Sequence, residues 1–306
     1  MPDIWMDALD PRTVRAFAER LTYKAENAKL FFTEIEAWDK SCDDTGGGLD
    51  DYWYIVIGGS SNVGKTQGGL SLTVRALEQG FSVVFLTMEE PADQILRRTY
   101  AAISNLGYYD FTYDNWSDRK AAMLKVPNLG TMAVNDDLED ESLGAIIGYL
   151  NEAREVINGP MIVVLDNLQL IKPRDGRNVQ ESATDLSEAL RKWAKRRKVL
   201  TFALSQLTAE CIRSGRAPWF ADLWGGSAMY SNPSQVIMVD HTAVVVDQNA
   251  PHIKRMWMAV AKNRYGPKAA FPIEANLKTG KWREAYPDEH HLWLPNPWEK
   301  KRSNKS

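Results

Sequence analysis

Between Tyr52 and Leu204 the chain alternates short apolar runs with longer amphipathic stretches. The runs are Tyr52–Ile57, Ser82–Leu86, Thr131–Val134, Met161–Leu165 and Val199–Leu204, each of strand length. The stretches between them carry helical spacing. After the first run Leu70, Val74 and Leu77 recur on one face, and the pattern stops near Gly80. Before the last run Leu186, Ala189, Leu190, Trp193 and Ala194 share a face, while Arg191, Lys192, Lys195 and Arg196 fall elsewhere. Strands alternating with helices of this length predict βαβ units and a mostly parallel sheet. Val236–Val239, Met256–Ala261 and Ala270–Ile273 read as further strands joined by turns, extending the sheet in antiparallel fashion. The expected fold class is therefore α/β, with a mostly parallel central sheet and antiparallel C-terminal strands.

The flanks are less regular. Asp10 and Pro11 read as the N-cap and first residue of a helix with Val14, Phe17, Ala18 and Leu21 along one stripe. Little nearby sequence covers that stripe, so it packs either on this chain's own core or on a neighbouring subunit. A Gly- and Asp-rich turn at 41–51 follows. The expected division is an N-terminal helical or linker segment at 1–45, a main domain at 46–290 and a basic tail at 291–306. The segment 105–130 is aromatic, polar and poorly periodic, and no element is predicted there.

Composition narrows the class. The 306 residues are 44% hydrophobic and 25% charged, an ordinary globular balance. Two cysteines, Cys42 and Cys211, are too few for a disulfide framework, which points to a reducing, cytoplasmic setting. No run approaches ~18 consecutive apolar residues, so no membrane span is expected, and the N-terminus lacks the pattern of a signal peptide. A net charge of -3 excludes a general polyanion binder. Any nucleic acid must be held by locally concentrated cations. The tail from Lys300 to Ser306, with three lysines and one arginine, reads as a solvated end.

One motif supplies chemistry directly. Gly59-Ser60-Ser61-Asn62-Val63-Gly64-Lys65-Thr66 matches GxxxxGK(S/T), after an apolar strand and before a helix, with Gln67 next in the helix start. Glycines let backbone N–H groups converge on phosphate oxygens, and the helix N-terminus adds partial positive charge. Lys65 is expected on the β- and γ-phosphates and Thr66 on Mg²⁺. The implied cofactors are ATP, or another nucleoside triphosphate, and Mg²⁺. Gly68 and Gly69 sit in the first helical turns, where each costs roughly 1 kcal/mol against alanine; close packing against another backbone would account for them.

Acidic partners follow from strand ends. Met161–Leu165 runs into Asp166, placing a carboxylate at the carboxyl edge of the sheet, where it can hold Mg²⁺ through water. Ser82–Leu86 runs into Thr87-Met88-Glu89-Glu90-Pro91. Either glutamate can orient the attacking water, and Glu89 is preferred because it lies nearer the strand end. Gln206, after the run ending at Leu204, is placed to sense the γ-phosphate.

Together these blocks resemble the RecA-like motor domain of the DnaB-type replicative helicases. The similarity runs in order through 30–284: Phe32–Trp38, Gly47-Gly48-Leu49 and Val56–Thr66, then Leu86–Gln94, Val164–Leu170, Ala203–Leu207 and Ala261–Pro267. It implies a P-loop ATPase of RecA-like fold, with Glu89 as the catalytic glutamate and Gln206 as the sensor. It further implies a hexameric ring on single-stranded DNA, with Lys262 and Arg264 reaching a neighbour's γ-phosphate. The family's two central loops fall at Lys172–Asn178 and Arg213–Ser227, making Arg174, Arg177, Arg213, Arg216, Gly225 and Gly226 candidate DNA contacts. In place of the family's N-terminal helical domain only about 30 residues stand, so primase or loader coupling is not assigned, and the chain reads as a reduced, divergent member. Trp219 and Trp224 either stack on bases or fill the core. A recombinase or annealing filament, and a regulatory ATPase without nucleic acid, are the alternatives to a helicase.

Overall fold

A computed structural model describes residues 29–108, 129–138, 140–172 and 178–299. The helix expected from Pro11, most of the unassigned 105–130 segment, Arg174, Arg177 and the tail from Lys300 lie outside the described residues. Among the described residues one ten-stranded sheet organises the fold, with β10-β9-β8-β6-β1-β5-β4-β2-β3 as its path and β7 on β8. Here β1 is Tyr54–Gly59, β2 Ser82–Thr87, β3 Met132–Asn135, β4 Met161–Asp166, β5 Leu200–Gln206, β6 Gln235–Val239, β7 Val245–Val246, β8 Ile253–Asn263, β9 Ala270–Asn276 and β10 Trp282–Glu284. The pairings β1·β5, β1·β6, β4·β5, β2·β4 and β2·β3 are parallel; β6·β8, β8·β9 and β9·β10 are antiparallel. This is the fold class expected from the apolar pattern.

The helices are α1 (Glu36–Lys40), α2 (Lys65–Glu78), α3 (Ala92–Ile103), α4 (Leu143–Val156), α5 (Val179–Arg197), α6 (Ala209–Ser214) and α7 (Ser227–Ser231). Central strands are apolar on both sides because both faces are covered. One layer gathers Leu70, Val74, Leu77, Ile95, Phe85, Ile57, Met256 and Met258. The other gathers Leu150, Leu186, Leu190, Trp193, Val163, Val56 and Met229. Each buried aliphatic or aromatic side chain stabilises the fold by roughly 1.5–3 kcal/mol. The longest helix, α5, starts with a capping box between Asn178 and Glu181 and ends at Lys198, whose φ of 52° breaks the helical run.

Phe31, Ile35, Trp38 and Leu49 are buried within the first layer, and Phe31 bridges Leu49, so the 45/46 division expected above falls inside a packed segment. At the other end Trp293 is buried and donates to the Met256 and Ile273 carbonyls.

The two glycines of α2 have a different reason from the one expected. A Cβ on Gly68 would sit 2.7 Å from the Trp282 ring, and one on Gly69 would sit 3.2 Å from Leu204 and 3.3 Å from Val164. Side chains, not a backbone, press on the helix. The close approach brings the P-loop helix down onto β10 and the sheet.

Candidate functional site

The phosphate-binding loop joins β1 to α2, and β1 fixes its start deep in the sheet. Gly64 has φ +107°, a conformation L side chains rarely adopt, which turns the loop into the helix. Ser61, Asn62, Gly64, Lys65, Thr66 and Gln67 line a cleft of ≈310 Å³ together with Glu89, Asp166 and Gln206. Residues separated by more than a hundred positions thus share one edge, because parallel β1, β2, β4 and β5 all end there. Gly59 and Ser60 form the loop's buried floor; a Cβ on Gly59 would lie 2.7 Å from Val63.

The charges are held apart from water. Lys65 is buried, and its Nζ donates to the Ser60 carbonyl at 2.8 Å. Burial pulls its pKa down, while Asp166 and Glu89 pull it back up. Asp166 is buried, and its carboxyl is pushed up to about 6, chiefly by burial and secondarily by Glu89, against a hydrogen bond from Thr66 and the charge of Lys65. Its Oδ2 is buried with no hydrogen-bond partner among the described residues. An orphaned carboxylate oxygen beside a threonine hydroxyl, in a cleft with a lysine, is a donor set that fits a hard divalent cation and its waters. Thr66 and Asp166, the residues expected at Mg²⁺ from sequence, both line the cleft that carries this donor set.

The two glutamates have different partners. Glu90 is paired with Arg98 at 2.9 Å, and its backbone is tied to the Thr87 hydroxyl, which donates to the Glu90 carbonyl at 2.9 Å. Glu89 is exposed, and its Oε2 accepts a hydrogen bond of 2.7 Å from Asn167 Nδ2. Among the described residues Glu89 thus has no cation paired with it, and its carboxylate is held by the amide that follows Asp166 in the chain. Ser205 accepts from Gln169 Nε2 at 3.0 Å, linking the β5 end to the segment after β4, and the Gln206 carbonyl accepts from Trp224 N at 3.0 Å.

Three contributors were not found from sequence. Asn167 and Arg98 lie near recognised blocks but carry no motif of their own. Lys254 comes from the start of β8 and donates to the Asn62 carbonyl at 3.4 Å. Nothing local in sequence joins residues 192 positions apart.

The remaining candidates lie elsewhere. Lys262 is the penultimate residue of β8, half-buried, and donates to the carbonyls of Tyr230, Ser231 at 2.7 Å and Pro233 at 2.8 Å. Arg264 donates to the Ser231 carbonyl. Burial, then the neighbouring Arg264, lowers the Lys262 ammonium to about 8. Neither residue lines the cleft. Lys254 touches this chain's own loop, and Lys262 lies eight residues further along the same strand, roughly 26 Å at ~3.3 Å per residue. Neither cation of the pair can reach the nucleotide cleft of its own chain.

Of the candidate DNA contacts, Arg213 is exposed on α6. Arg216 is paired bidentately with Asp222 at 2.5 and 2.7 Å, so its guanidinium braces the loop. A Cβ on Gly225 would sit 2.2 Å from the Ala183 Cβ, and Gly226 N donates to the Leu223 carbonyl at 3.0 Å; the pair forms the tight turn into α7. Trp219 is 38% exposed and stands in a cluster with Phe220 and Tyr230, while Trp224 packs against the second layer.

A parallel sheet with a phosphate loop, a strand-end aspartate and a glutamate at one edge defines a P-loop nucleotide-binding domain of RecA-like architecture. The chain belongs to the family described as the DnaB-like helicase C terminal domain, whose model matches residues 36–284. It is 27% identical over 237 residues to a probable plasmid replicative DNA helicase of Chlamydia psittaci, covering 75% of this chain and 51% of that protein. It is 26% identical over 243 residues to the replicative DNA helicase DnaB of Pasteurella multocida, covering 77% and 51% respectively. The chain therefore spans about half the length of these curated relatives. A solved DnaB-like replicative helicase, described with its interactions with primase, superposes with a TM-score of 0.67 at 16% identity, over 91% of this chain and 67% of that one. A solved ATPase domain superposes with a TM-score of 0.70 at 16% identity, over 91% and 99%. Both likenesses concern the fold. Among the described residues no helix is long and apolar enough to cross a membrane.

Proposed function

We propose that this chain is the motor subunit of an ATP-dependent DNA helicase, acting in the cytoplasm as a homo-oligomeric, hexameric ring on single-stranded DNA. The observation that carries the reading is the separation of the two half-sites. Lys65, Thr66, Asp166 and Glu89 share one cleft, whereas Lys262 and Arg264 lie at the far end of β8. A complete phosphoryl-transfer site then requires a second copy to bring the cations across.

In this reading Lys65 and the loop N–H groups hold the triphosphate, and Thr66 and Asp166 hold Mg²⁺, which supplies charge neutralisation at the phosphates. Glu89, aimed by Asn167, orients the attacking water and accepts its proton. Gln206 reports the γ-phosphate to the Gly225-Gly226 turn through its backbone bond to Trp224. Arg213, Arg174 and Arg177 supply phosphate contacts along the strand, a role that Arg216 shares only by leaving Asp222. Such contacts bind without reading sequence and weaken with salt.

The test is a forked duplex with one labelled strand. Hydrolysis stimulated by single-stranded DNA and strand release dependent on a hydrolysable nucleotide are expected. Hydrolysis with no strand release on either fork polarity would remove the helicase reading.

The Lys262 ammonium gives a pH signature. A base with a lowered pKa loses its charge as pH rises through that value, here about 8. The charged form is the active one, so kcat/KM for hydrolysis is expected to fall on the alkaline side with a midpoint near 8. Lys262→Arg keeps its charge, and its profile is expected to stay flat across that range. A wild-type profile with no alkaline limb would count against a catalytic Lys262.

A further inference from the structure

Lys262 and Arg264 are separated by one residue, and the geometry of that residue has its own role. In a strand, successive side chains point to opposite faces. Along β8, Met256, Met258 and Val260 enter the first layer of the core, with α1 and α2. Uninterrupted alternation would send Lys262 and Arg264 the same way. It is interrupted: Val236 pairs with Lys262 but Ile237 pairs with Val260, so Ala261 is an extra residue in β8. Such a bulge re-aims the side chains beyond it. Ala261 enters the second layer, and Lys262 and Arg264 point to the carbonyls at the end of α7.

Asn263 is thereby turned to the opposite face, where every one of its side-chain hydrogen-bonding groups is used. Nδ2 donates to the Ser41 carbonyl at 2.8 Å and to the Pro267 carbonyl at 2.9 Å. Oδ1 accepts from Gln235 Nε2 at 3.1 Å and from Tyr265 N at 3.1 Å. Gln235 is fully buried, and its Oε1 accepts from Trp38 Nε1 at 2.8 Å. The turn after Asn263 is clamped to the same surface. Tyr265 stacks on Trp53 at 4.5 Å and 9°, its carbonyl accepts from Asp44 N at 3.1 Å, and a Cβ on Gly266 would lie 2.0 Å from the Ser41 carbonyl.

We propose that Asn263 is a positioning residue for the cation pair. Its bonds to Ser41 and Gln235 tie the bulged end of β8 to the segment after α1 and to β6, and its bonds to Tyr265 and Pro267 close the turn that follows, so that Lys262 and Arg264 project to the other side. Two acceptors and two donors at a single site match a primary amide, here at the length of asparagine. This rests on the reading that the pair acts on a neighbouring subunit's nucleotide. A displacement of about 1 Å in such a group costs on the order of 100-fold in rate.

The experiment uses the full chain, with folding monitored by circular dichroism and thermal melting. Asn263→Ala is expected to lower kcat about 100-fold with nucleotide affinity and KM unchanged. Asn263→Asp keeps the shape and both acceptances but not the donation to Ser41 and Pro267; it is expected to show the same split, and replaces the alanine variant if that one fails to fold. The decisive readout is mixing. A subunit with an intact cleft and a misaimed pair should be served by a Lys65→Ala subunit, whose cleft is dead but whose pair is intact. Hydrolysis in the Asn263→Ala plus Lys65→Ala mixture should exceed that of either variant alone. Arg264→Ala plus Lys65→Ala is the reference. If the reference recovers and the Asn263 mixture does not, Asn263 has no role in aiming the pair, and the inference is overturned alone. If neither recovers, the pair does not act across subunits, and both readings fall.

Discussion

Replacing Lys65 by alanine is expected to lower nucleotide hydrolysis by about 10³-fold or more. The cleft concentrates negative charge before any triphosphate arrives: Asp166 is buried, and Glu89 raises its pKa further. Lys65 is the buried cation that opposes them, held by the Ser60 carbonyl against the loop. Without it a polyanionic substrate would enter beside two uncompensated carboxylates, and the γ-phosphate would lose its principal charge-assisted donor. Nucleotide binding should weaken together with turnover, which separates this variant from Asn263→Ala. Fluorescent-nucleotide titration and phosphate release measure the two quantities. Retention of a tenth of wild-type turnover would show that the loop's N–H groups suffice and would displace Lys65 from the centre of the site.

Arg264→Ala is the second large effect, a loss of about 10³-fold in kcat with nucleotide affinity preserved. A guanidinium delivered from an adjacent copy offsets charge on the transferred phosphoryl group and is absent from the ground-state binding of its own chain. For the same reason wild-type turnover per subunit should climb with protein concentration until assembly saturates. A monomer, verified by sedimentation, that hydrolyses nucleotide at the full rate and is indifferent to Arg264→Ala would overturn the shared-site reading.

Much of this was legible in the chain because it is local. The strand–loop–helix around Lys65, the strand ending in Asp166 and the run into Glu89 each carry their signal within a dozen residues, and the parallel sheet then gathers their ends without further instruction. What could not be read is what long-range packing decides. Lys254 reaches the loop only because β8 folds back along β6. Gly68 is explained only by Trp282, more than two hundred positions later. The preference for Glu89 over Glu90 was readable from the strand end, but not that Arg98 pairs with Glu90 and Asn167 with Glu89. Arg216 looked as available as Arg213 until Asp222 was seen to hold it. The bulge at Ala261 leaves no mark in an apolar run, since alanine is accepted on either face.

Lys254 holds its own chain's loop and Lys262 the carbonyls at the end of α7, so in the proposed ring β8 would be a ruler between successive nucleotides. In that ring its residue count would set the spacing of two reaction centres, so a one-residue change in length would both misreach and reverse the facing of the cation pair. Relatives are accordingly expected to tolerate insertions in the turns on either side of this strand and to keep the strand itself at constant length.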